Sequence, residues 1–330
     1  MDLSTMYLGL GLRNPLVASA GPLTSSPDGV HRLADAGVGA VVLPSLFEEQ
    51  LRNQSDRDSR LAAAGVESHA EARSYLPGNV FEAWPDEYLR LIEKTAGGAG
   101  VPVIASLNGV SPGGWTGYAT AMQDAGAAAI ELNVYYLPAD PLIPARDAER
   151  RYAEILRSVK TAVRIPVAVK MAPYFSSPGE MACILDCAGA DGLVLFNRFM
   201  QTDIDPETFT VSAGFRLSSP GEAALPRSWI SQLRGRVRCS LAASTGVETA
   251  GDVVAYLLAG ADVVMTTSAL LRHGPGYVTE LLDGLTDWME RKGFATVTGV
   301  RGLLSAQSGF AVPGRAGYLS AIERATQAYG

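Results

Sequence analysis

The chain alternates short apolar runs with longer stretches in which apolar residues recur every three or four positions. The short runs have the length and composition of buried parallel strands, whereas the longer stretches have the period of helices. Eight strands are predicted in this way, at Leu16–Ala20, Ala40–Leu43, Val103–Ser106, Ala129–Val134, Val167–Met171, Gly192–Phe196, Ser240–Ala243 and Asp262–Thr266. The alternation predicts an α/β fold built from repeated βα units.

The connecting stretches predicted to be helical include Glu87–Thr95, Gly117–Ala125, Ala148–Val163, Ala250–Leu258 and Val278–Lys292. Asp-Ala-Gly or Ala-Gly-Ala triplets precede several strands, and glycine there supplies the left-handed conformation that ends a helix. Eight such units indicate a (β/α)8 TIM barrel, formed as one domain over residues 1–330, rather than an open doubly wound sheet. The sequence has no Gly-x-Gly-x-x-Gly motif to open a dinucleotide-binding helix.

Two connections are too long to be simple turns, Phe47 to about Asp86 and Phe199 to about Pro226. Loops of this length in a compact domain are usually lids or binding segments. Both follow the carboxyl end of a strand, so they are expected on the face of the barrel where active sites lie. The segment Tyr7–Pro15 is predicted to form a small hairpin that plugs the opposite end.

Composition excludes several classes of partner and cofactor. The net charge is −7 and no run of Lys or Arg is present, which argues against nucleic acid and anionic membrane surfaces. The three cysteines and three histidines lack the spacing of a metal site, so none is expected. No apolar stretch is long enough to cross a bilayer, and residues 1–5 lack the basic start of a secretory signal. We therefore expect a cytoplasmic protein that acts on a small molecule.

Lys170 is the strongest single candidate for chemistry. It follows the apolar residues Val167–Val169 within the stretch Pro166–Tyr174 and is one of only four lysines in the chain. Polar residues at the carboxyl ends of barrel strands are where barrel enzymes place their catalytic groups. The alternative is a structural role, in which Lys170 reaches solvent at the strand end or pairs with a carboxylate.

Six short stretches stand out by their order and spacing: Asn14–Gly21, Gly39–Val42, Glu131–Asn133, Val169–Pro173, Gly189–Asn197 and Thr245–Val253. Together they resemble the dihydroorotate dehydrogenases, which are FMN-dependent (β/α)8 barrels. The resemblance covers nearly the whole chain and is strongest to the soluble class and to a dihydroorotate dehydrogenase-like branch of it. The resemblance implies an oxidoreductase of the CH–CH class that converts dihydroorotate to orotate in pyrimidine biosynthesis, and a homodimer.

The resemblance also implies roles for individual residues. Lys170 would lie beside the N1–C2 edge of the flavin, where a fixed positive charge stabilises the reduced form. Further cofactor contacts would come from Ser19, Ala20, Gly21, Ser45, Asn133 and the backbone at Thr245–Gly246 and Thr267–Ser268. The last two segments would hold the phosphate, and phosphates in barrels favour the loops after strands seven and eight. The alternative for Thr245–Gly246 is an ordinary turn that caps the next helix.

The substrate side departs from the family pattern. The soluble enzymes follow Glu-Leu-Asn with a segment that carries a catalytic cysteine and a substrate-binding asparagine. Tyr136 stands in the place of that cysteine and Pro138 in the place of that asparagine. Pro44 replaces the lysine that the family has after its second strand. Taken together, the matches and departures indicate that the flavin contacts of the family are mostly kept and its dihydroorotate contacts are mostly lost.

Tyr136, or its neighbour Tyr135, is the candidate proton-transfer residue. A model tyrosine has a pKa of about 10, so deprotonating it at pH 7 costs roughly 4 kcal/mol, against roughly 2 kcal/mol for a cysteine. A tyrosine is therefore the poorer base but a serviceable acid. This favours an ene-reductase on another conjugated or cyclic substrate as an alternative function. In the structural alternative, both tyrosines only wall the pocket.

Four residues at or just after strand ends are candidate substrate ligands: Asn108, Asn133, Asn197 and Arg198. Arg198 could hold a carboxylate with two parallel hydrogen bonds, or it could point away toward the helices. Asn108 could contact the substrate or cap the helix that follows. A last alternative, from another class, is a flavin-free barrel that binds a ligand or acts as a lyase through a Schiff base on Lys170.

Overall fold

The structure is a computed structural model that describes residues 1–50, 84–111, 115–136, 140–199, 202–213, 216–309 and 315–329. Within these residues, eight parallel strands form a closed barrel. In barrel order they are β3 (Leu16–Ala18), β4 (Ala40–Phe47), β5 (Val103–Asn108), β6 (Ala129–Asn133), β7 (Val167–Met171), β8 (Gly192–Leu195), β11 (Ser240–Ala243) and β12 (Val263–Thr266). The prediction of a (β/α)8 barrel is confirmed, and each strand overlaps its predicted position.

Helices surround the barrel and alternate with its strands. They are α1 (Pro27–Ala36), α2 (Trp84–Ala96), α3 (Trp115–Asp124), α4 (Ala145–Ala162), α5 (Pro178–Cys187), α6 (Ala224–Leu233), α7 (Ala250–Ala259), α8 (Ser268–His273), α9 (Tyr277–Lys292), α10 (Val297–Val300) and α11 (Arg315–Tyr329). The predicted glycine stops are present. Gly37 ends α1 and Gly260 ends α7, both in the left-handed conformation, with φ of 113° and 119°.

A hairpin at the N-terminus closes one end of the barrel, as predicted. It consists of β1 (Thr5–Tyr7) and β2 (Leu10–Leu12), which pair antiparallel. Tyr7, Leu8 and Leu12 are buried against the apolar side chains that line the barrel interior. The N–H of Leu8 donates to Ser240 Oγ at 3.1 Å, and Ser240 begins its strand. The hairpin therefore plugs the amino end and leaves the carboxyl end open for a site.

The second long connection contains a small hairpin of its own. Its strands are β9 (Thr202–Asp205) and β10 (Thr210–Ala213), which pair only with each other. Most of the first long connection, residues 51–83, lies outside the described residues. Among the helices that the structure describes, none is both long and apolar enough to span a membrane.

Candidate active site

The polar residues of the site follow from strand alternation. Side chains two positions apart on a strand point to the same side, and Ile104, Ala129 and Ala168 point into the barrel against the plug. On the same three strands, the next inward residues toward the carboxyl end are polar: Ser106 on β5, Glu131 on β6 and Lys170 on β7. Two of these strands carry one more polar inward residue after that, Asn108 on β5 and Asn133 on β6. An apolar floor thus carries a polar layer, which we call the polar layer of the barrel mouth.

Lys170 lies in this polar layer and pairs with a buried carboxylate. Its Nζ is 3.5 Å from Glu131 Oε1, and the side chains of Lys170 and Glu131 are only 13% and 2% exposed. The other carboxylate oxygen, Glu131 Oε2, is buried and has no hydrogen-bond partner among the described residues. Lys170 therefore does pair with a carboxylate, as the structural alternative proposed, but it does so inside the barrel mouth. Glu131, which the sequence analysis did not assign to the site, is the counter-charge of Lys170.

Two asparagines bridge the ends of neighbouring connections. Asn197 Nδ2 donates to Asn133 Oδ1 at 2.7 Å, and both side chains are buried. The N–H of Asn197 donates to Met171 O at 2.8 Å, so the backbone after β8 is held against the end of β7. Asn108 is also buried and is the register partner of Asn133 on the next strand. The structure thus brings together the three asparagines that the sequence analysis assigned to the flavin and the substrate.

Ser19, Ala20 and Gly21 close the polar layer on the side of the first barrel strand. The Ser19 carbonyl accepts from Thr267 Oγ1 at 2.8 Å, whereas the buried Ser19 Oγ has no hydrogen-bond partner in the part of the chain that the structure describes. A Cβ on Gly21 would lie 2.6 Å from Thr267 Cγ2, so this position has no room for a side chain. Ser45 Oγ, on the neighbouring strand β4, is 2.8 Å from Ser106 Oγ.

A set of donors converges at the ends of β11 and β12, where a phosphate was predicted. Thr245 and Gly246 have positive φ values of 80° and 72°, an uncommon conformation for threonine that is found most often at functional sites. The N–H of Gly246 donates to Ser218 Oγ at 3.3 Å, and Ser218 N–H donates to Ser268 Oγ at 3.0 Å. A Cβ on Gly246 would lie 2.6 Å from the backbone nitrogen of Ala223. Glycine is therefore required at this position, because the backbone of residue 246 packs directly on Ala223.

Sequence reasoning missed Ser218 and the residues that hold it. Arg272 donates to the carbonyl oxygen of Ser218 at 2.6 Å and also pairs with Glu248. His273 Nε2 is 2.8 Å from the same carboxylate, at Glu248 Oε1. Ser218 follows no strand and lies in a long connection, so periodicity gave no signal for it. Only the position of that connection, after a strand end, could have pointed to it.

These residues fit FMN. Among the described residues, Ser19 Oγ is a buried hydroxyl without a hydrogen-bond partner, and Gly21 and Gly246 allow close backbone packing against Thr267 and Ala223. Lys170 and the asparagines are donors suited to the carbonyl and nitrogen edge of a flavin ring, while hydroxyls and a glycine amide meet where the phosphate was predicted. The donor set thus matches both ends of the cofactor.

The candidate proton-transfer residues lie beside the asparagine pair. The Tyr135 ring stacks on Phe199 with centroids 4.3 Å apart, and Tyr174 meets Phe199 edge-on at 5.5 Å. The Arg151 guanidinium carbon lies 4.2 Å from the centroid of the Tyr136 ring. A cation in this position is worth about 0.5–1 kcal/mol and holds the ring in place. The proton-transfer role of both tyrosines stays a prediction.

Arg198 is already engaged. Its Nε lies 2.9 Å from Glu222 Oε2 and its Nη2 lies 3.4 Å from Glu222 Oε1, so the guanidinium holds a carboxylate of the protein with two parallel contacts. A substrate carboxylate would have to share or displace Glu222. These contacts do not test the predicted substrate role of Arg198, which stays a prediction and requires that the substrate carboxylate share or replace the contact with Glu222.

A neighbouring acidic residue, Glu48, follows β4 directly and begins a helical turn at residues 48–50. Glu48 is buried, and its Oε2 accepts from the backbone N–H groups of Val110 at 2.9 Å and Ser111 at 3.1 Å. Because β4 extends to Phe47, the carboxylate is carried to the loop after β5. Glu48 thereby ties the loops after two strands together.

None of the three cysteines lies at the barrel mouth. Cys183 and Cys187 are exposed on α5, and Cys239 precedes β11 at the amino end. Burial, reinforced by the nearby Asp186, raises the pKa of the Cys239 thiol well above its usual value. In the part of the chain that the structure describes, no group of His, Cys, Asp and Glu could hold a metal ion.

Comparison with known proteins matches the chain to one family. The family model described as dihydroorotate dehydrogenase matches residues 2–289. A protein of Methanothermobacter thermautotrophicus named dihydroorotate dehydrogenase B (NAD(+)), catalytic subunit, is 28% identical over 91% of this chain and 98% of its own length. Proteins with the same name from Endomicrobium trichonymphae and Pyrococcus furiosus are 26% and 25% identical, covering 91% and 92% of this chain and 96% and 99% of their own lengths.

Proposed function

Because the chain belongs to the dihydroorotate dehydrogenase family, we propose that it binds FMN and oxidises dihydroorotate to orotate, a step of pyrimidine biosynthesis. It is an oxidoreductase that acts on a CH–CH bond, and enzymes of its family depend on a flavin. The observation that carries the proposal is the pair of Lys170 and Glu131 in the polar layer, 3.5 Å apart and buried beneath the asparagines.

Bound FMN would supply the acceptor for the hydride that leaves the substrate. The residues of the chain would do the rest. Lys170 would hold a positive charge beside the ring, in a site where Glu131 and the apolar floor limit access of water. Asn133 and Asn197 would fix the orientation of the ring and the substrate. The backbone at Gly246 and the hydroxyls of Ser218 and Ser268 would hold the phosphate.

The proton that leaves dihydroorotate must be taken by another group, and Tyr136 is our candidate. It stands where the family has its base, and the guanidinium of Arg151 lies over its ring. Tyr135 is held differently, because its ring stacks on Phe199. The two tyrosines therefore serve as a matched pair for testing which phenol exchanges the proton.

A second candidate is the reduction of a conjugated or cyclic alkene, with Tyr136 as proton donor. It is favoured by one observation, that all three cysteines lie away from the barrel mouth, so the family base is missing. The flavin-free lyase that the sequence left open is not favoured, because it does not agree with membership of a flavin-dependent family.

Turnover with different acceptors tests the main proposal. The flavin-loaded protein is incubated with dihydroorotate and, in separate reactions, NAD⁺, fumarate or a redox dye, and orotate is measured by its absorbance. Orotate formation with any acceptor supports the proposal. If orotate never forms, but the reduced enzyme converts an activated alkene, the second candidate replaces it.

We also propose that the protein is a cytoplasmic homodimer. Ile204 and Val211 are directly paired across the β9–β10 hairpin and are 68% and 71% exposed, and the nearby Phe209 is exposed as well. An isolated two-stranded hairpin is marginally stable in water, so an apolar pair of this kind supports burial against a second subunit. Light scattering of the wild type and of the double variant Ile204→Ser/Val211→Ser tests it. A dimer that becomes monomeric in the variant is expected, whereas a monomeric wild type would refute the proposal.

A further inference from the structure

A pocket of about 320 Å³ opens at the amino end of the barrel, opposite the polar layer. Its lining includes Arg234, Gly235, Arg238, Cys239, Arg301 and Gln307. It also includes Ser240 at the start of β11 and Asp262 just before β12, which places it at the plugged end. Neither the proposed flavin site nor the proposed substrate site uses any of these residues.

The floor of the pocket is a carboxylate shared by two arginines. Asp262 is buried, and its Oδ1 and Oδ2 lie 3.0 and 3.2 Å from Arg234 Nη1. Oδ1 is also 2.9 Å from Arg301 Nη1, and Oδ2 accepts from the N–H of Leu241 at 2.8 Å. The single negative charge of Asp262 therefore faces two positive charges, and both of its oxygens already accept hydrogen bonds.

The two guanidinium groups are held in place and keep donors available. A Cβ on Gly260 would lie 2.8 Å from Arg234 Cγ, so the Arg234 stem packs directly on the backbone. The side chains of Arg234 and Arg301 are only 25% and 18% exposed. Within the described residues, the Nε and Nη2 groups of both arginines make no hydrogen bond. Arginines fixed in this way lose little conformational entropy when they bind an anion.

The rim of the pocket adds a third positive charge. Arg238 is exposed, and its Nε lies 3.4 Å from Asp186 Oδ2. Cys239 adds no negative charge, because burial and Asp186 raise the pKa of its thiol. Gln307 is seated against Gly235, where a Cβ would lie 2.0 Å from Gln307 Oε1. Three guanidinium groups thus face two carboxylates, which leaves one net positive charge among these groups.

From this arrangement we propose that the pocket binds the phosphate group of a small phosphate ester. A guanidinium group can bind a phosphate through two parallel hydrogen bonds. Arg234 and Arg301 both contact Asp262 through Nη1, and their Nε and Nη2 groups remain available to a ligand. The volume is in the range of small-molecule pockets and exceeds what a free phosphate fills, so an organic portion attached to the phosphate fits beside Gln307. The proposal does not depend on the flavin or on the proposed reaction.

Calorimetry at low salt tests the proposal, with ribose 5-phosphate, inorganic phosphate and ribose as probes. Saturable binding of ribose 5-phosphate, and no binding of ribose, is expected. Equal affinity for inorganic phosphate would identify free phosphate as the ligand of the same anion site, whereas tighter binding of the ester would identify the ester. Binding should weaken as sodium chloride is raised, because the contacts are ionic.

Three variants show whether binding takes place in this pocket. Arg234→Lys keeps the charge beside Asp262 but removes the planar group, and a loss of affinity of about tenfold is expected. Arg238→Met removes only the rim charge and should weaken binding about threefold, in a protein whose buried cluster is intact. Arg236→Met is the matched control, because Arg236 is exposed on the same loop and does not line the pocket. Absence of saturable binding to the wild type, or equal losses in Arg238→Met and Arg236→Met, would overturn the proposal.

Discussion

Replacement of Lys170 by methionine removes the positive charge from the polar layer and leaves Glu131 buried. The two charges are 3.5 Å apart, which corresponds to about 5 kcal/mol of attraction at an effective dielectric constant near 20, before desolvation is counted. Removing one partner of such a buried pair costs about 3–5 kcal/mol, because the remaining charge has no compensation. Within the described residues Glu131 Oε2 has no hydrogen-bond partner that could compensate the charge after Lys170 is removed.

Urea unfolding followed by circular dichroism measures this cost, with the flavin content of each variant determined because a bound ligand adds to stability. We expect Lys170→Met to lower the free energy of unfolding by about 3–5 kcal/mol. The double variant Lys170→Met/Glu131→Gln should recover most of the loss, because it no longer buries an unpaired charge. Lys160→Met is the matched control. It breaks a pair with Asp191 whose side chains are 29% and 35% exposed, and such pairs contribute about 0–1 kcal/mol.

Two results would refute the reasoning about the pair. Lys170→Met could be as stable as the wild type, which would mean that water or another group compensates Glu131. The double variant could be as unstable as Lys170→Met alone, which would mean that the loss comes from packing and not from an unpaired charge.

Two further predictions concern the cofactor and the proton. Gly246→Ala should weaken FMN binding at least tenfold, because the new Cβ would lie 2.6 Å from the Ala223 nitrogen at a positive φ. Gly276→Ala is the control and should bind FMN like the wild type, because no described atom lies within 4 Å of a Cβ at that position. Equal FMN dissociation constants of the two variants, measured by fluorescence, would contradict this. Tyr136→Phe should slow the reduction of the flavin by dihydroorotate by about 10²-fold or more, which is the range expected for loss of a proton-transfer group. Tyr135→Phe should remain within a few-fold of the wild type. Stopped-flow absorbance measures both rates. The reverse order of the two tyrosine variants would assign the role to Tyr135.

The barrel could be predicted from sequence because its signals are local. Apolar runs, glycine stops and helical periods each depend on residues close together in the chain, and Lys170 was identified by its place at the end of such a run. The predicted end of the second strand was four residues short, at Leu43 instead of Phe47, because Pro44 follows and the register shifts between Val42 and Ser45.

The contacts that complete the site were not predictable in the same way. Glu131 reaches Lys170 from 39 positions away, and Arg198 meets Glu222 across 24 positions. Ser218 reaches Ser268 across 50 positions. The Glu131–Lys170 pair depends on the register of two neighbouring strands, and the other two pairs depend on how loops cross the barrel mouth. No period in the sequence encodes either of these.

The most direct test of the proposed function is an anaerobic titration of the purified, flavin-loaded protein with dihydroorotate, followed by visible absorbance. The visible absorbance band of the oxidised flavin should bleach as one equivalent of dihydroorotate is added, with orotate formed in equal amount. A flavin band that remains unchanged at a large excess of dihydroorotate would contradict the proposed substrate, and purified protein that neither contains nor binds FMN would contradict the proposed cofactor.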